Sequence, residues 1–95
     1  MANELRTCAW WPVAPGPARN PITAQGAPPI LVIGNTNDPA TPLANAQSVA
    51  DHLAQARLVV AAVDGHTAYS SNPCVRQTVQ RYFADGSLPA VGARC

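Results

Sequence analysis

Two uninterrupted apolar runs, residues 30–33 (Ile-Leu-Val-Ile) and 58–63 (Leu-Val-Val-Ala-Ala-Val), dominate the hydrophobic pattern of this chain. Runs without polar alternation are expected of parallel strands covered on both faces. Each run ends in a polar loop, the first through Asn35-Thr36-Asn37-Asp38-Pro39, a cluster of turn formers, and the second through Asp64-Gly65-His66-Thr67. Between the runs, Leu43, Ala46, Val49, Ala50 and Leu53 recur at spacings of three and four, the stripe a helix lays on a sheet. Thr41 followed by Pro42 predicts its start, with a hydroxyl cap and proline at the first helical position. Strand, helix and strand then make one right-handed crossover unit. Asn72-Pro73 repeats the cap-then-proline device for a second helix, with Val75, Val79, Tyr82 and Phe83 as its apolar face and Gly86 as its stop. Asp51 and His52 fall off the first stripe and read as solvated surface groups.

The flanks are written differently. Residues 1–12 predict a short helical turn stopped by Pro12. The adjacent Trp10 and Trp11 cannot both face one side; they read as packing against the body of a larger domain, the rival being that one lines a substrate cleft. From Pro12 to Pro29 the chain holds six prolines and two glycines, an extended connector with no element of its own. The division expected is a turn and connector over residues 1–28 and an α/β segment over 29–95. Residues 88–95 form a tail that stays loose unless tethered.

Composition narrows the function classes. With 95 residues, 47% hydrophobic and 12% charged, the chain has the make-up of one small globular domain. A formal charge of +1 with no basic cluster offers no footprint for nucleic acid. No apolar run approaches the roughly 18 residues that span a bilayer, and the Met-Ala-Asn-Glu start lacks the features of a signal peptide, so no membrane partner is expected. Cys8, Cys74 and Cys95 lack a Cys-x-x-Cys element, and His52 and His66 do not complete a metal set. The loop after the first apolar run also lacks Gly-x-Gly-x-x-Gly, so neither a metal nor a nucleotide cofactor is expected.

The candidate chemistry lies in the two polar loops. Asp38 and His66 each follow a predicted strand, where open α/β sheets place their sites. A histidine that takes a proton from a nucleophile needs its tautomer fixed, and a carboxylate on its other ring nitrogen does that. Asp38 and His66 are therefore the candidate catalytic residues. Asp38 also has a plainer reading as the support of its own turn, and Asp64, two residues before His66, is its rival as the orienting carboxylate. Gly65 allows the tight turn that presents His66.

The run Pro-Pro-Ile-Leu-Val-Ile-Gly-Asn-Thr-Asn-Asp-Pro-Ala-Thr-Pro, the later Gly-His, and Cys74…Tyr82…Asp85-Gly86-Ser87-Leu88-Pro89…Cys95 resemble the C-terminal portion of the tripeptidyl-aminopeptidase-like α/β-hydrolases. The resemblance covers about residues 8–95, and Asp-Pro-x-Thr-Pro and Gly-His are its specific parts. It implies the C-terminal part of an α/β-hydrolase fold, incomplete as a stand-alone domain, with Asp38 and His66 as two members of a Ser-Asp-His triad in the order acid then histidine. It also implies a disulfide between Cys74 and Cys95, export or a cell-envelope location for the full-length enzymes, and a peptide or ester substrate. Cys8 is left single, with a partner on a missing segment or a free buried thiol as its two readings.

One departure from the family pattern stands out. No Gly-x-Ser-x-Gly occurs in the chain. The expectation is a piece of a larger hydrolase, inactive alone, whose serine lies upstream, with association between chains or strand-exchanged oligomers as alternatives. A non-catalytic interaction module on the same scaffold is the competing function.

Overall fold

The computed structural model describes residues 2–95, with side chains described from Arg6 onward. Helix α1 (Ala2–Ala9) opens the chain. It is followed by strand β1 (Ile30–Asn37), helix α2 (Leu43–His52), strand β2 (Ala56–Asp64) and helix α3 (Pro73–Asp85). β1 and β2 pair in parallel, from Ile30 beside Ala56 to Asn35 beside Ala61. The register then slips, so that Asn37 faces Asp64 and β2 carries one additional residue at its end. The chain is thus a parallel strand-helix-strand-helix unit, the partial α/β fold expected. Between α1 and β1 there is neither helix nor strand, in keeping with six prolines over residues 12–29.

Helices lie on both faces of the sheet but cover it incompletely, leaving residues 30–33 half-buried and Ala62 exposed. α2 packs on one face, where Gly34 lets it come close: a β-carbon there would meet Leu43 Cδ1 at 2.6 Å and Ala46 Cβ at 2.8 Å. α3 covers the other face, where Val75, Ala61 and Ala68 are buried and Ile33, Val63, Val79 and Cys95 pack around them. Val59 and Val75 are the largest fully buried side chains, each contributing about 1.5–3 kcal/mol through the apolar surface removed from water.

The helix ends test the two cap-then-proline patterns, and only one behaves as expected. At α3, the Asn72 side chain accepts from the Val75 amide at 3.1 Å, Pro73 opens the helix and Gly86 ends it in the left-handed conformation, φ 75°. At α2 the cap position belongs to Pro42, and no side chain caps the helix. Thr41 instead turns its hydroxyl toward the carboxylate, making a charge-assisted bond to Asp38 Oδ2 at 2.8 Å, and its oxygen accepts from no helix amide. Phe83 also departs from its expected place. It is 80% exposed, because at 3.6 residues per turn it sits roughly 80° around α3 from Val75, at the margin of the buried face. Its ring packs edge-on against Tyr82, whose hydroxyl donates to the Pro29 carbonyl at 2.8 Å.

The tail is tethered at several points, among them a bond from Asn72 Nδ2 to the Cys95 carbonyl at 3.0 Å. Cys95 is bonded to Cys74 near the start of α3, a link across 21 positions. The Cys95 amide donates to the Val60 carbonyl at 2.8 Å, and the Val60 amide donates to Ala93 at 3.1 Å, so the tail forms a parallel bridge on the outer edge of β2. Arg57 donates to the Pro89 carbonyl. At the other end, Cys8 is a free, exposed thiol, and Trp10 and Trp11 are exposed.

Candidate active site

β1 delivers Asp38 one residue past its end, and the loop that follows folds back onto the carboxylate. Oδ1 accepts from the amides of Ala40 at 2.8 Å and Thr41 at 2.9 Å. Oδ2 accepts from the Thr41 hydroxyl at 2.8 Å. These bonds favour the ionised form. The Thr41 amide is the largest influence, burial opposes it, and His66, the Thr41 hydroxyl and the Ala40 amide add to it, so the carboxyl is held far below its ordinary 3.8.

β2 delivers His66 two residues past its own end. Its Nδ1 lies 2.9 Å from Asp38 Oδ2 and 3.2 Å from Oδ1. An ionised carboxylate only accepts, so Nδ1 carries the shared hydrogen and Nε2 of the neutral ring keeps its lone pair. The side chain of Asp38 is 5% exposed and that of His66 54%, so the carboxylate is sheltered while the ring meets solvent. The backbone around His66 is unusual on both sides, with φ 141° at Gly65 and φ 68° at the β-branched Thr67.

The two loops are stitched together by the residues read from sequence as a turn cluster. Asn35, Thr36 and Asn37 belong to β1 instead. The buried Asn35 donates from Nδ2 to the Gly65 carbonyl at 2.9 Å, and the Gly65 amide donates to the Asn37 carbonyl at 3.0 Å. Asn37 Nδ2 donates to Asp64 Oδ1 at 2.6 Å, so Asp64, the rival carboxylate, is engaged with β1 and not with the imidazole. Asp38 and His66 border a cleft of about 520 Å³ walled by apolar side chains that include Val32, Ile33, Val49 and Val79. Neither Trp10 nor Trp11 lines it.

His52 is remote from this pair, on the exposed face of α2, with its Nδ1 2.7 Å from the Ser48 carbonyl. Among the described residues, no three His, Cys, Asp or Glu side chains gather as metal ligands. No helix among them is long and apolar enough to cross a membrane. Sequence reasoning named Asp38 and His66, which the structure brings into contact, and did not name Asn35, Asn37 or Thr41 as partners of this pair. The threonine carried a signal all the same, since a hydroxyl three residues after an aspartate in a turn is placed to bond its carboxylate.

Comparison with known proteins places the chain in a family. A family model described as TAP-like protein matches residues 1–95. The chain belongs to the TAP-like family of α/β-hydrolases. Its TAP-like relatives include a carboxylesterase B of Mycobacterium tuberculosis, 40% identical over 91 residues that cover 93% of this chain and 17% of that protein. The serine protease Hip1 of the same organism is 32% identical over 91 residues, covering 96% of this chain and 18% of the relative. A tripeptidyl aminopeptidase of Streptomyces coelicolor is 30% identical over 90 residues, covering 93% and 17%. The chain thus spans less than a fifth of the length of the curated relatives it matches.

Proposed function

We propose that this TAP-like segment supplies the acid and the histidine of a Ser-Asp-His triad whose serine lies outside the chain. The observation that carries the reading is the 2.9 Å contact between His66 Nδ1 and Asp38 Oδ2, at the matching ends of two adjacent parallel strands. The relatives' names, a serine protease, an esterase and an aminopeptidase, support acyl transfer from a peptide or ester.

In this reading His66 Nε2 takes the serine hydroxyl proton as the oxygen bonds to the substrate carbonyl carbon. The same proton then goes to the departing amine or alcohol as the acyl bond breaks. A water molecule, deprotonated in the same way, releases the acyl group and restores the serine. Asp38 stays ionised throughout, holding the ring and stabilising the imidazolium. Residues 29–95 carry this machinery and residues 1–28 act as the connector. The apolar cleft belongs to the substrate and to the nucleophile-bearing portion, with a second copy of the chain as the other candidate occupant. Export or a cell-envelope location goes with the reading, since the Cys74–Cys95 bond suits an oxidising compartment.

The test is labelling by a fluorophosphonate probe, with turnover of tripeptide and short-chain ester substrates. The chain is assayed alone and joined to the coding region upstream of it. Labelling and turnover only in the joined form, with turnover lost on His66→Ala, are the expected result. Labelling of the chain alone would put the nucleophile inside it. An inert joined form would favour a non-catalytic interaction module.

A further inference from the structure

The Asp38 carboxylate has about four lone-pair sites, and the structure fills every one. Two on Oδ1 are taken by the Ala40 and Thr41 amides, at 2.8 and 2.9 Å. Of the two on Oδ2, one receives the Thr41 hydroxyl at 2.8 Å and the other faces His66 Nδ1 at 2.9 Å. Oδ2 is the nearer of the two oxygens to the ring, Oδ1 being 3.2 Å away. The paired amides hold a single oxygen and leave the carboxylate plane free to swing about its last torsion, which is a broad, soft rotation. Among the described residues, Thr41 is the only group besides His66 that grips the other oxygen. Its Oγ1 lies 3.3 Å from Nδ1, so hydroxyl, carboxylate oxygen and ring nitrogen form one close triangle.

We infer that Thr41 is a positioning residue: by occupying the second site on Oδ2, its hydroxyl sets the carboxylate plane so that the one remaining acceptor site is aimed at Nδ1 of His66. The inference rests on the triad reading and deepens it. It fits the direction of this hydroxyl, which is turned to the carboxylate while α2 begins without a side-chain cap among the described residues. Pro42, directly behind Thr41, narrows the backbone conformations open to the threonine. An aspartate without this third anchor would still be ionised by its amides, yet would share its bond with the ring between several orientations.

The consequence is a tautomer that depends on a threonine. A neutral imidazole with nothing to hold it favours the hydrogen on Nε2, whereas His66 needs it on Nδ1 for Nε2 to act as a base. The ring-nitrogen signals of this full chain, labelled with nitrogen-15, read the two forms directly, with His52 as an internal reference 14 positions away in sequence. Wild type should show His66 in the Nδ1–H form. Thr41→Val, nearly isosteric and lacking the hydroxyl, should raise the Nε2–H share of His66 several-fold and leave His52 unchanged; Thr41→Ser should restore the wild-type pattern. An unchanged His66 in Thr41→Val, while Asp38→Asn does abolish the Nδ1–H form, would overturn the role of Thr41 and leave the pair intact. Failure of Asp38→Asn to alter His66, or a wild-type His66 without the Nδ1–H preference, would overturn both.

Discussion

Asn35 donates its side-chain amide to the carbonyl of Gly65 at 2.9 Å, a bond between the strand that carries Asp38 and the peptide that leads into His66. The donor is 5% exposed, so the bond forms where water competes poorly. Acid and histidine are therefore set by one hydrogen-bonded seam between strand ends, and each loop is indexed on the other.

Asp38 makes stability depend on acid. Its carboxyl is depressed in the folded chain, chiefly by the Thr41 amide, below its ordinary 3.8. A depressed folded value contributes stability that is fully present above the unfolded value and is lost as pH falls toward the folded one. Unfolding midpoints in urea should therefore fall as pH drops below about 4. The Asp38→Asn chain should show a flatter slope over the same window, measured by far-ultraviolet circular dichroism.

The turn that presents His66 is held against its own backbone preferences. Gly65, at φ 141°, has open space where a β-carbon would go, so Gly65→Ala tests conformation alone. It should cost about 1–3 kcal/mol. Thr67, at φ 68°, is the opposite case, and Thr67→Gly should hold or raise stability by up to about 1 kcal/mol. Equal losses in both variants would show that the loop does not rely on these angles.

Gly34 fixes the spacing between α2 and the sheet. A β-carbon at 2.6 Å from Leu43 Cδ1 can be relieved by turning the leucine, but the 2.8 Å approach to Ala46 Cβ cannot, because that atom is fixed to the helix. Gly34→Ala should cost about 1–3 kcal/mol by overpacking. Adding Ala46→Gly should recover part of the overpacking loss relative to Ala46→Gly alone, a coupling that a double-mutant cycle in urea measures.

The Cys74–Cys95 bond closes a loop over 21 positions, and replacing both cysteines with alanine should cost about 3 kcal/mol on chain-entropy grounds. Exchange of the Val60 amide, which donates to Ala93 in the tethered tail, should accelerate along with it. A Val60 amide that stays protected would show that the tail holds without its covalent anchor.

What could be read in the sequence followed from apolar continuity. The runs at 30–33 and 58–63 announced strands because no polar alternation interrupts them, although residues 30–33 are only partly buried and Ala62 is exposed. The ends of those strands were hidden. Asn35-Thr36-Asn37 carries the residues of a turn, yet parallel pairing with β2 and bonds to Asp64 and Gly65 override that local preference. The identical cap-then-proline patterns diverged for a reason three residues upstream: Thr41 has Asp38 within reach, whereas Asn72 keeps the helix amide as its partner. Asp38 and His66 were legible from their places after the two runs. That Thr41 and Asn35 serve them depended on side-chain directions that spacing does not specify.

Val60 spends its amide and its carbonyl on the returning tail, while β1 has no strand on its outer side among the described residues. The sheet is consequently asymmetric: the outer edge of β2 is engaged at Val60, so a further strand would meet less obstruction beside β1 than beside β2.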